Sequence, residues 1–497
     1  MKSKFNLSRF YVKIRGIKPL FYFMEKKKFY ITTSIAYTNA VPHIGYALEL
    51  IQADVVARYH KLLGEDVFFL TGTDEHGAKV VKAAQESGKE PKEFTDEISN
   101  KFKELTKILD ISNDDFIRTT DQKRHWPIVK EVWLKLKENG DIYKKQYKGL
   151  YCVGCEAFIT KKDLIDGKCK IHQKEPEVIE EENYFFKFSK YSKQIEEIVK
   201  KDEVKIIPEG RKNEMLSFVR QGLEDVSFSR PRKDLKWGIP VPDDDTQTIY
   251  VWADALINYI SALGYPNGEK FKKYWPADIH FAGKDILRFH ATIWLGVLLS
   301  LKLPLPKNIF VHGFITSNGQ KMSKSLGNII DPFELVKKYG ADAVRYFLLR
   351  EIPSSEDGDF TEEKFKERYN ADLANGIGNL LARVLGLAKK FGTEKLDDNS
   401  GPEHVINKIE ENYKKSLSEF KFNEALGALW YGISVCDKTI ELKSLWGGAD
   451  NIKVVIAGWM FAIKEIAELL KPFLPETSER ILKQIKTKKG KPLFPRI

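Results

Sequence analysis

The chain has 497 residues, 42% of them hydrophobic and 30% charged, a balance typical of a globular protein with roughly two to four domains. The longest apolar run, near residues 291–301, is too short to span a bilayer, which argues against a membrane protein. The formal net charge of +11 suits a polyanionic partner, but residues 1–24 supply six of these charges, so charge alone does not establish nucleic-acid binding.

Residues 1–27 are interpreted as an extension that precedes the folded protein. The stretch is basic, aromatic and free of acidic residues up to position 24, so organellar targeting by residues 1–23 is kept as a minor alternative. Three of the four cysteines lie within 18 residues, which does not resemble a secreted disulfide framework. We therefore expect a cytoplasmic location.

Residues 28–117 alternate between strand and helix patterns. The β-rich run FYITTSI precedes a helical pattern from His43 to Leu63, and the run DVFFLTG precedes helical patterns that extend to Leu109. This alternation predicts the first half of a doubly wound, parallel, Rossmann-like α/β domain. Ligands of such sheets bind at the carboxyl ends of the strands.

Residues 118–240 break this alternation and are predicted to form a connective insertion domain. Alternation resumes in residues 241–318 with the segments TIYVWADALINYI, DIHFAGKDILRFHATIW and NIFVHGFIT. These three segments are predicted to form the second half of the same sheet.

The cysteine cluster of the insertion has the spacing of a metal site. Its pattern is C-x2-C-x13-C-x2-H, formed by Cys152, Cys155, Cys169 and His172. Two-residue gaps allow a tight turn to direct a pair of ligands at one Zn²⁺ ion, and four protein ligands leave no position for water. The sequence therefore predicts one structural zinc in a knuckle, with four unrelated core residues as the alternative.

Residues 319–360 are predicted to form a loop and linker, and residues 361–497 an all-α bundle. The stretch NGQKMSKSLGN is cationic and bounded by glycines, as expected for a mobile loop. After it, the sequence predicts one long amphipathic helix with Thr361 as its N-cap, followed by further helices.

Two segments about 280 residues apart carry groups suited to phosphate. The sequence HIGY, at His43–Tyr46, opens a helix, and helix N-termini attract anions. Taken singly, a lone histidine beside a glycine is better explained as a simple helix cap. The second segment is KMSKS, at Lys321–Ser325. Together they resemble the His-Ile-Gly-His and Lys-Met-Ser-Lys-Ser signatures of class I aminoacyl-tRNA synthetases, with Tyr46 in place of the last histidine.

The resemblance implies that His43, Lys321 and Lys324 are catalytic, because a mobile cationic loop can stabilise the charge that develops as pyrophosphate leaves. ATP would be accompanied by Mg²⁺. The implied ATP-binding residues are His43, Gly45, Tyr46, Gly283, Asp285, His312, Gly313, Phe314, Lys321 and Lys324.

Within this class the chain is most similar to the methionine-specific family, through the segments SIAY, TGTDEHG, YVWADALINY and GKDILRFH and the Cys3His knuckle. The resemblance implies activation of L-methionine with ATP and transfer to tRNA(Met). Asp74 would bind the α-ammonium group, and aromatic residues suit a thioether, although Trp252 and Tyr259 are also compatible with ordinary core. The implied methionine-binding residues are Ile35, Tyr37, Asp74, Trp252, Ala255, Leu256, Tyr259, Ile286 and His290.

The helical region is implied to read the tRNA anticodon. Asn375, Asn379 and Arg383 recur every four residues, so they would share one face of a helix, which is also compatible with a solvated polar stripe. By the resemblance, Trp446 would stack on an unpaired base. Because no appended dimerisation domain follows this region, we expect a monomer.

Alternative functions are a catalytically retired tRNA-binding paralogue, another class I synthetase specific for cysteine or a branched-chain amino acid, or another nucleotidyl transferase on the same fold. The insertion of about 120 residues leaves little room for the editing domain of the branched-chain enzymes.

Overall fold

The computed structural model describes residues 26–154, 157–159, 163–171, 173–322, 327–393, 403–441 and 449–497. Its centre is a seven-stranded sheet in which every paired strand is parallel. The strands, numbered along the chain, are β1 (Lys28–Thr32), β2 (Ala36–Tyr37), β3 (Asp66–Asp74), β4 (Asp115–Arg118), β5 (Lys205–Ile207), β6 (Ile279–Gly283) and β7 (Asn308–His312).

The strand order places a ligand site at the middle of the sheet. The order is β5-β7-β6-β1-β3, β2 continues along β3 beyond the end of β1, and β4 pairs with the opposite edge of β3. From β1 the chain continues to β3 and β4 at one side of the sheet, and from β6 it continues to β7 on the other side. The strands β1 and β6 therefore form the topological switch point of the sheet. The predicted doubly wound parallel sheet is confirmed.

Two expectations about this sheet are wrong. The segment before Tyr250 was expected in the parallel sheet, but strand Asp244–Ile249 belongs to a separate antiparallel sheet with Ser229–Pro231 and Pro240–Val241. Conversely β5, inside the expected insertion of residues 118–240, pairs in parallel with β7 and belongs to the central sheet. A three-residue strand is too short to give a periodic sequence signal.

Helix α1 (Ile44–Leu62) follows β2, and α2 (Ala78–Glu86) and α3 (Pro91–Ile108) follow β3. The region around the cysteines is built on a four-stranded antiparallel sheet, formed by Ile142–Cys152, Ala157–Ile159, Glu177–Phe186 and Val226–Ser227. The hairpin Leu164–Ile165 with Lys168–Cys169 accompanies it. Three longer helices complete this region, Trp126–Glu138, Ser192–Lys200 and Glu209–Arg220.

Short elements connect the sheet to the helical region. The helices Val251–Ala255, Asn258–Ser261 and Glu269–Tyr274 precede β6, and a π-helix, Phe289–Trp294, leads into the helix Leu295–Ser300. After β7, the strand Ile315–Ser317 pairs with Gln320–Lys321 and with Gly358–Phe360. The helices Pro332–Tyr339 and Ala341–Arg350 lie between these strands in the chain.

The carboxyl-terminal region is helical, as predicted. It contains the helices Glu362–Arg368, Asn379–Phe391, Glu403–Ser418, Phe422–Glu441, Ala449–Leu470 and Pro475–Thr487. Thr361 is confirmed as an N-cap, because its side-chain oxygen accepts a hydrogen bond from Lys364 N at 3.1 Å. No helix in the described ranges combines the length and the apolar character needed to cross a membrane.

The single long helix expected after Thr361 is wrong. A π-helical segment, Tyr369–Gly378, separates the two α-helices, and Gly376 has a non-helical backbone, with φ −80° and ψ −105°. A glycine permits this change of direction because it has no Cβ. Asn375 therefore lies before the kink, while Asn379 and Arg383 lie after it on one helix.

A buried arginine connects the helical region with the α/β domain. Arg345 is fully buried, and its guanidinium forms an ion pair with Asp54 of α1 at 2.8 Å. The same group donates to the carbonyl oxygens of Leu109, Pro472 and Phe473. All of these contacts satisfy donors that would be costly to bury unpaired, so the two regions are held in a defined orientation.

Candidate active site

One cavity of about 510 Å³ opens near the carboxyl ends of β1, β6 and β7. It is lined by every residue that the family resemblance assigned to methionine, and by every described residue that it assigned to ATP. Lys324 lies outside the described residues. The structure therefore brings the expected residues to one place, whereas their individual roles stay predictions.

His43 is the N-cap of α1. Its Nδ1 accepts a hydrogen bond from Gly45 N at 3.0 Å, so the proton of the neutral ring lies on Nε2. Burial lowers the pKa of His43 below its ordinary value, although the nearby Asp285 opposes this change. At neutral pH the ring is thus an uncharged donor at a helix N-terminus that lines the cavity.

Gly45 is required by the histidine ring. A Cβ at this position would lie 2.8 Å from His43 Cε1, closer than unbonded carbons approach. The absence of a side chain at residue 45 therefore allows His43 to fold over the start of α1 and accept from its backbone.

The start of α1 contacts the segment that follows the second signature. Ile44 N donates to the carbonyl oxygen of Ile330 at 3.1 Å, which joins the start of α1 to the segment that follows the cationic loop. Lys321, in the exposed strand Gln320–Lys321, lines the same cavity as His43, and its Nζ lies 5.8 Å from the centroid of the Phe314 ring.

Tyr46 directs its hydroxyl into the sheet. Its oxygen lies 3.1 Å from Thr71 Oγ1, which in turn lies 2.7 Å from Thr33 Oγ1. The ring packs edge-on against Phe102, and burial raises the pKa of the phenol well above its ordinary value. The hydroxyl is therefore engaged by a buried chain of hydroxyl groups, although other atoms of Tyr46 line the cavity.

Sequence reasoning missed Glu49, one turn further along α1. Its buried carboxylate accepts from Ser34 N and Ser34 Oγ, both at 2.7 Å, and from His312 Nε2 at 2.8 Å. His312 Nδ1 also donates, to the Gly313 carbonyl oxygen at 2.8 Å. Burial favours the neutral ring, but the Glu49 hydrogen bond and charge raise the pKa of His312 above its ordinary value.

Asp74, the last residue of β3, lines the cavity, whereas its neighbour Glu75 is bonded to other residues. Glu75 is fully buried and accepts from Arg118 Nε and Nη2 at 2.6 and 2.8 Å and from Thr73 Oγ1 at 2.6 Å. The Asp74 carbonyl oxygen accepts from Thr38 N at 2.9 Å. Hydrogen bonds thus hold the backbone of Asp74 and the side chain of the next residue.

Aromatic rings form an apolar wall of the cavity. Trp252 and Phe289 stack with ring centroids 3.8 Å apart and planes 10° apart. Tyr259 and His290 are buried and joined at 2.7 Å through the hydroxyl and Nε2. His290 Nδ1 donates to Ile286 O at 3.0 Å, so Nε2 accepts from the Tyr259 hydroxyl.

The side of the cavity near β6 and β7 carries groups suited to a nucleoside. A Cβ on Gly283 would lie 2.8 Å from Asp285 Oδ1, so this glycine makes room for the exposed carboxylate. The Phe314 ring lies 4.4 Å from Lys284 Nζ, and Asp357 fixes both residues by accepting from Lys284 Nζ and Phe314 N.

The residues expected at the anticodon are dispersed by the kink. Asn375 and Asn379 are exposed, and Asn375 Oδ1 accepts from Arg496 Nε at 3.0 Å. Arg383 is half-buried and pairs with Asp437 of the neighbouring helix. Trp446 lies outside the described residues.

Two of the four expected zinc ligands are described. Cys152 and Cys169 are 2% and 1% exposed and belong to one small apolar cluster with Ile159. Buried thiols at the ends of two β-hairpin strands fit a structural zinc site, whereas Cys155 and His172 lie outside the described residues. Across the described ranges, no group of three or more His, Cys, Asp or Glu side chains has an arrangement that could hold a metal ion.

Family models match most of the chain. The model described as "tRNA synthetases class I (M)" matches residues 29–163 and 154–385, and the model described as "Anticodon-binding domain of tRNA ligase" matches residues 403–493.

Two methionine–tRNA ligases align with most of this chain. A methionine–tRNA ligase of Thermotoga maritima is 46% identical over 92% of this chain and 75% of its own length. A methionine–tRNA ligase of Nostoc is 44% identical over 93% of this chain and 90% of its own length.

Solved structures of Mycobacterium tuberculosis methionyl-tRNA synthetase have the same fold. The complex with methionyl-adenylate has a TM-score of 0.88 at 36% identity, covering 95% of this chain and 100% of that chain. The apo form has a TM-score of 0.81 at 34% identity, covering 95% of this chain and 98% of that chain.

Proposed function

The chain belongs to the methionine–tRNA ligase family of class I tRNA synthetases, and from this premise we propose that it activates L-methionine with ATP and transfers it to tRNA(Met). The single observation that carries this proposal is the shared cavity, in which His43, Lys321 and the aromatic wall around Tyr259 face one space. A cavity of this composition accommodates a triphosphate, a nucleoside and a small apolar side chain together.

In the first step, an oxygen of the methionine carboxylate attacks the α-phosphorus of ATP, and the bond to the bridging oxygen of pyrophosphate breaks. No protein nucleophile is needed, so the residues contribute positioning and charge stabilisation. His43 donates from Nε2, while Lys321 and Lys324 neutralise the charge that builds on the leaving group. Mg²⁺ bound with ATP neutralises further phosphate charge.

In the second step, a ribose hydroxyl at the 3′ end of the tRNA attacks the adenylate carbonyl carbon, and AMP leaves. The cationic loop favours this order, because a loop that closes during activation and opens afterwards releases pyrophosphate.

Methionine is recognised by groups at opposite ends of the substrate. Asp74 binds the α-ammonium group, and the thioether lies among Tyr259, His290 and Trp252. The polarizable sulfur packs favourably against aromatic rings. The remaining residues that support the side chain are Ile35, Tyr37, Ala255, Leu256 and Ile286.

ATP occupies the side of the cavity near β6 and β7. Gly283 and Asp285 contact the ribose, and the segment His312–Phe314 lies against adenine. The Glu49–His312 ion pair supports this segment from α1, since it holds the imidazole in a single orientation.

Two further sites complete the proposal. Asn375, Asn379, Arg383 and Trp446 contact the anticodon, where unstacked bases expose their edges. One zinc ion, held by Cys152, Cys155, Cys169 and His172, stabilises the knuckle as a structural metal. The protein is proposed to act as a monomer in the cytoplasm, which sedimentation and cell fractionation would test.

Amino-acid-dependent pyrophosphate exchange tests the function. Exchange should occur with methionine and not with cysteine, valine, isoleucine or leucine, and transfer to tRNA(Met) should follow in the presence of ATP. The variant His43→Ala provides the inactive control. Absence of exchange with all five amino acids would favour a retired paralogue, and exchange with another one would reassign the specificity.

A further inference from the structure

A buried carboxylate behind the cavity joins two of the elements that form it. His76 Nδ1 donates to Asp254 Oδ2 at 2.6 Å, and His125 Nε2 donates to Asp254 Oδ1 at 2.7 Å. None of these three residues is more than 2% exposed, and none lines the cavity. They can therefore affect a bound ligand only through the residues that they position.

Each end of the His76–Asp254 hydrogen bond lies next to a cavity residue. Asp254 belongs to the short helix Val251–Ala255, which also carries Trp252. His76 follows Asp74 by two residues in the turn after β3. The hydrogen bond thus joins the turn that follows Asp74 to the helix that carries Trp252.

Neighbouring aromatic rings and a second histidine hold the His76–Asp254 hydrogen bond in place. The His76 ring packs edge-on between Trp126 and Trp237, with centroids 5.9 and 5.7 Å away, so its rotation is hindered. Burial favours a neutral carboxyl, but the two histidines hold the pKa of Asp254 below its ordinary value. An ionised, buried carboxylate is costly to leave with one partner, which favours retention of both bonds.

We propose that Asp254 and His76 are positioning residues that set the separation between Asp74 and the aromatic wall, and thereby select ligands that carry an ammonium group at a fixed distance from a thioether. This inference rests on the proposed function, in which Asp74 binds the α-ammonium group. It extends that function to residues that touch no substrate.

Three variants separate this role from general stability. Asp254→Asn removes the charge with little change in shape, and His76→Gln removes the connection to the Asp74 turn. The matched control is His125→Asn, whose shorter side chain cannot reach the other oxygen of the same carboxylate. His125 precedes the helix Trp126–Glu138, and its second nitrogen lies 2.7 Å from Ser261 Oγ, so both of its ring nitrogens bond to residues outside the Asp74 turn.

Two fragments of methionine report on the two ends of the substrate. The compound 3-(methylthio)propylamine keeps the ammonium group and thioether, and 4-(methylthio)butyrate keeps the thioether without the ammonium group. Their affinities are measured by ligand-observed NMR titration, which requires no catalysis. Asp254→Asn and His76→Gln should weaken the amine by about tenfold, the size of a lost charge-assisted contact, while the butyrate changes by less than about twofold.

The two fragments distinguish a positioning role from a general loss of folding. If Asp254→Asn does not fold, His76→Gln and His125→Asn still provide the comparison. The proposed positioning role would be overturned by equal weakening of both fragments, by equal effects of His76→Gln and His125→Asn on the amine, or by no effect of His76→Gln. A wild-type protein that binds neither fragment would also overturn it. A wild-type protein that binds both fragments but lacks pyrophosphate exchange would overturn the proposed function alone.

Discussion

Ile44 and Ile330 are joined by a backbone hydrogen bond of 3.1 Å, from Ile44 N to Ile330 O, although they are 286 positions apart in the chain. This bond fixes the first turn of α1 against the segment that follows the cationic loop. It therefore places the helix N-terminus that carries His43 close to the strand that carries Lys321. The proposed binding of one triphosphate by both residues depends on this proximity.

Gly45→Ala should impair activation while leaving methionine binding intact. The added Cβ would meet the His43 ring at 2.8 Å and displace it. Because preorganised donors act on the transition state, the rate of methionine-dependent pyrophosphate exchange should fall by about a hundredfold. Calorimetric titration with methionine should give an affinity close to that of the wild type.

The matched control is Gly386→Ala, because no atom lies within 4 Å of the Cβ at that position. Full exchange activity in Gly45→Ala would show that the position of the His43 ring is unimportant.

Tyr46→Phe should affect stability more than catalysis. The variant removes the bond to Thr71 and leaves its buried hydroxyl with one partner fewer, at a cost of about 1 kcal/mol in the free energy of unfolding. The exchange rate should fall by less than about threefold, because the hydroxyl is directed toward Thr71 in the sheet. Chemical denaturation and exchange kinetics measure the two effects. A large loss of exchange with unchanged stability would instead establish a phosphate contact for Tyr46.

The Glu49–His312 pair predicts a pH dependence of stability. A histidine whose pKa is raised by folding contributes its full stabilisation below its unfolded pKa of about 6.5, and this contribution is lost as pH rises through the folded value. The difference in unfolding free energy between wild type and Glu49→Gln should therefore be largest near pH 6 and shrink toward alkaline pH. Denaturant unfolding between pH 5.5 and 9 measures it, with the exposed Glu86→Gln as control. A constant difference would contradict a charged pair.

Arg383→Gln should reduce tRNA charging without affecting activation. The loss of one base contact is expected to lower kcat/KM for tRNA(Met) by about tenfold, while pyrophosphate exchange, which needs no tRNA, stays unchanged. Lys389→Gln, at an exposed position of the same helix, is the control. Normal charging by Arg383→Gln would indicate that the Asp437 ion pair is purely structural.

The substitution Cys169→Ser should abolish zinc binding, whereas Cys436→Ser should not. Elemental analysis of wild type is expected to give about one zinc per chain, and Cys169→Ser should lose it. Cys436→Ser is a matched control, because Cys436 is also buried but lies in the helical region. Zinc-free wild-type protein, or zinc retained by Cys169→Ser, would contradict the proposed site.

The sequence predicted those helices and strands whose hydrophobic patterns extend over many neighbouring residues. The alternation before Arg118 and the amphipathic helices after Thr361 are sufficient to predict a parallel sheet and a helical region. The kink at Gly376 was missed, because an isolated glycine is tolerated within a helical pattern, and the pairing of β5 was missed because it depends on distant residues.

The residues of the candidate site that belong to sequence motifs could be predicted from the sequence. Motif residues such as His43 and Lys321 could be identified directly, whereas Glu49 and Asp254 could not, because their partners are 263 and 178 positions away. A buried acidic residue within an apolar run, as in IYVWADALI, is the signal that could have indicated Asp254.

A crystal structure with methionine and a non-hydrolysable ATP analogue tests the central claim most directly, since it shows which side chains hold the triphosphate. His43 Nε2 and the amino groups of Lys321 and Lys324 are predicted within hydrogen-bonding distance of phosphate oxygens of one nucleotide. A complex in which His43 and Lys324 lie on opposite sides of the molecule, with the triphosphate bound by neither, would contradict it.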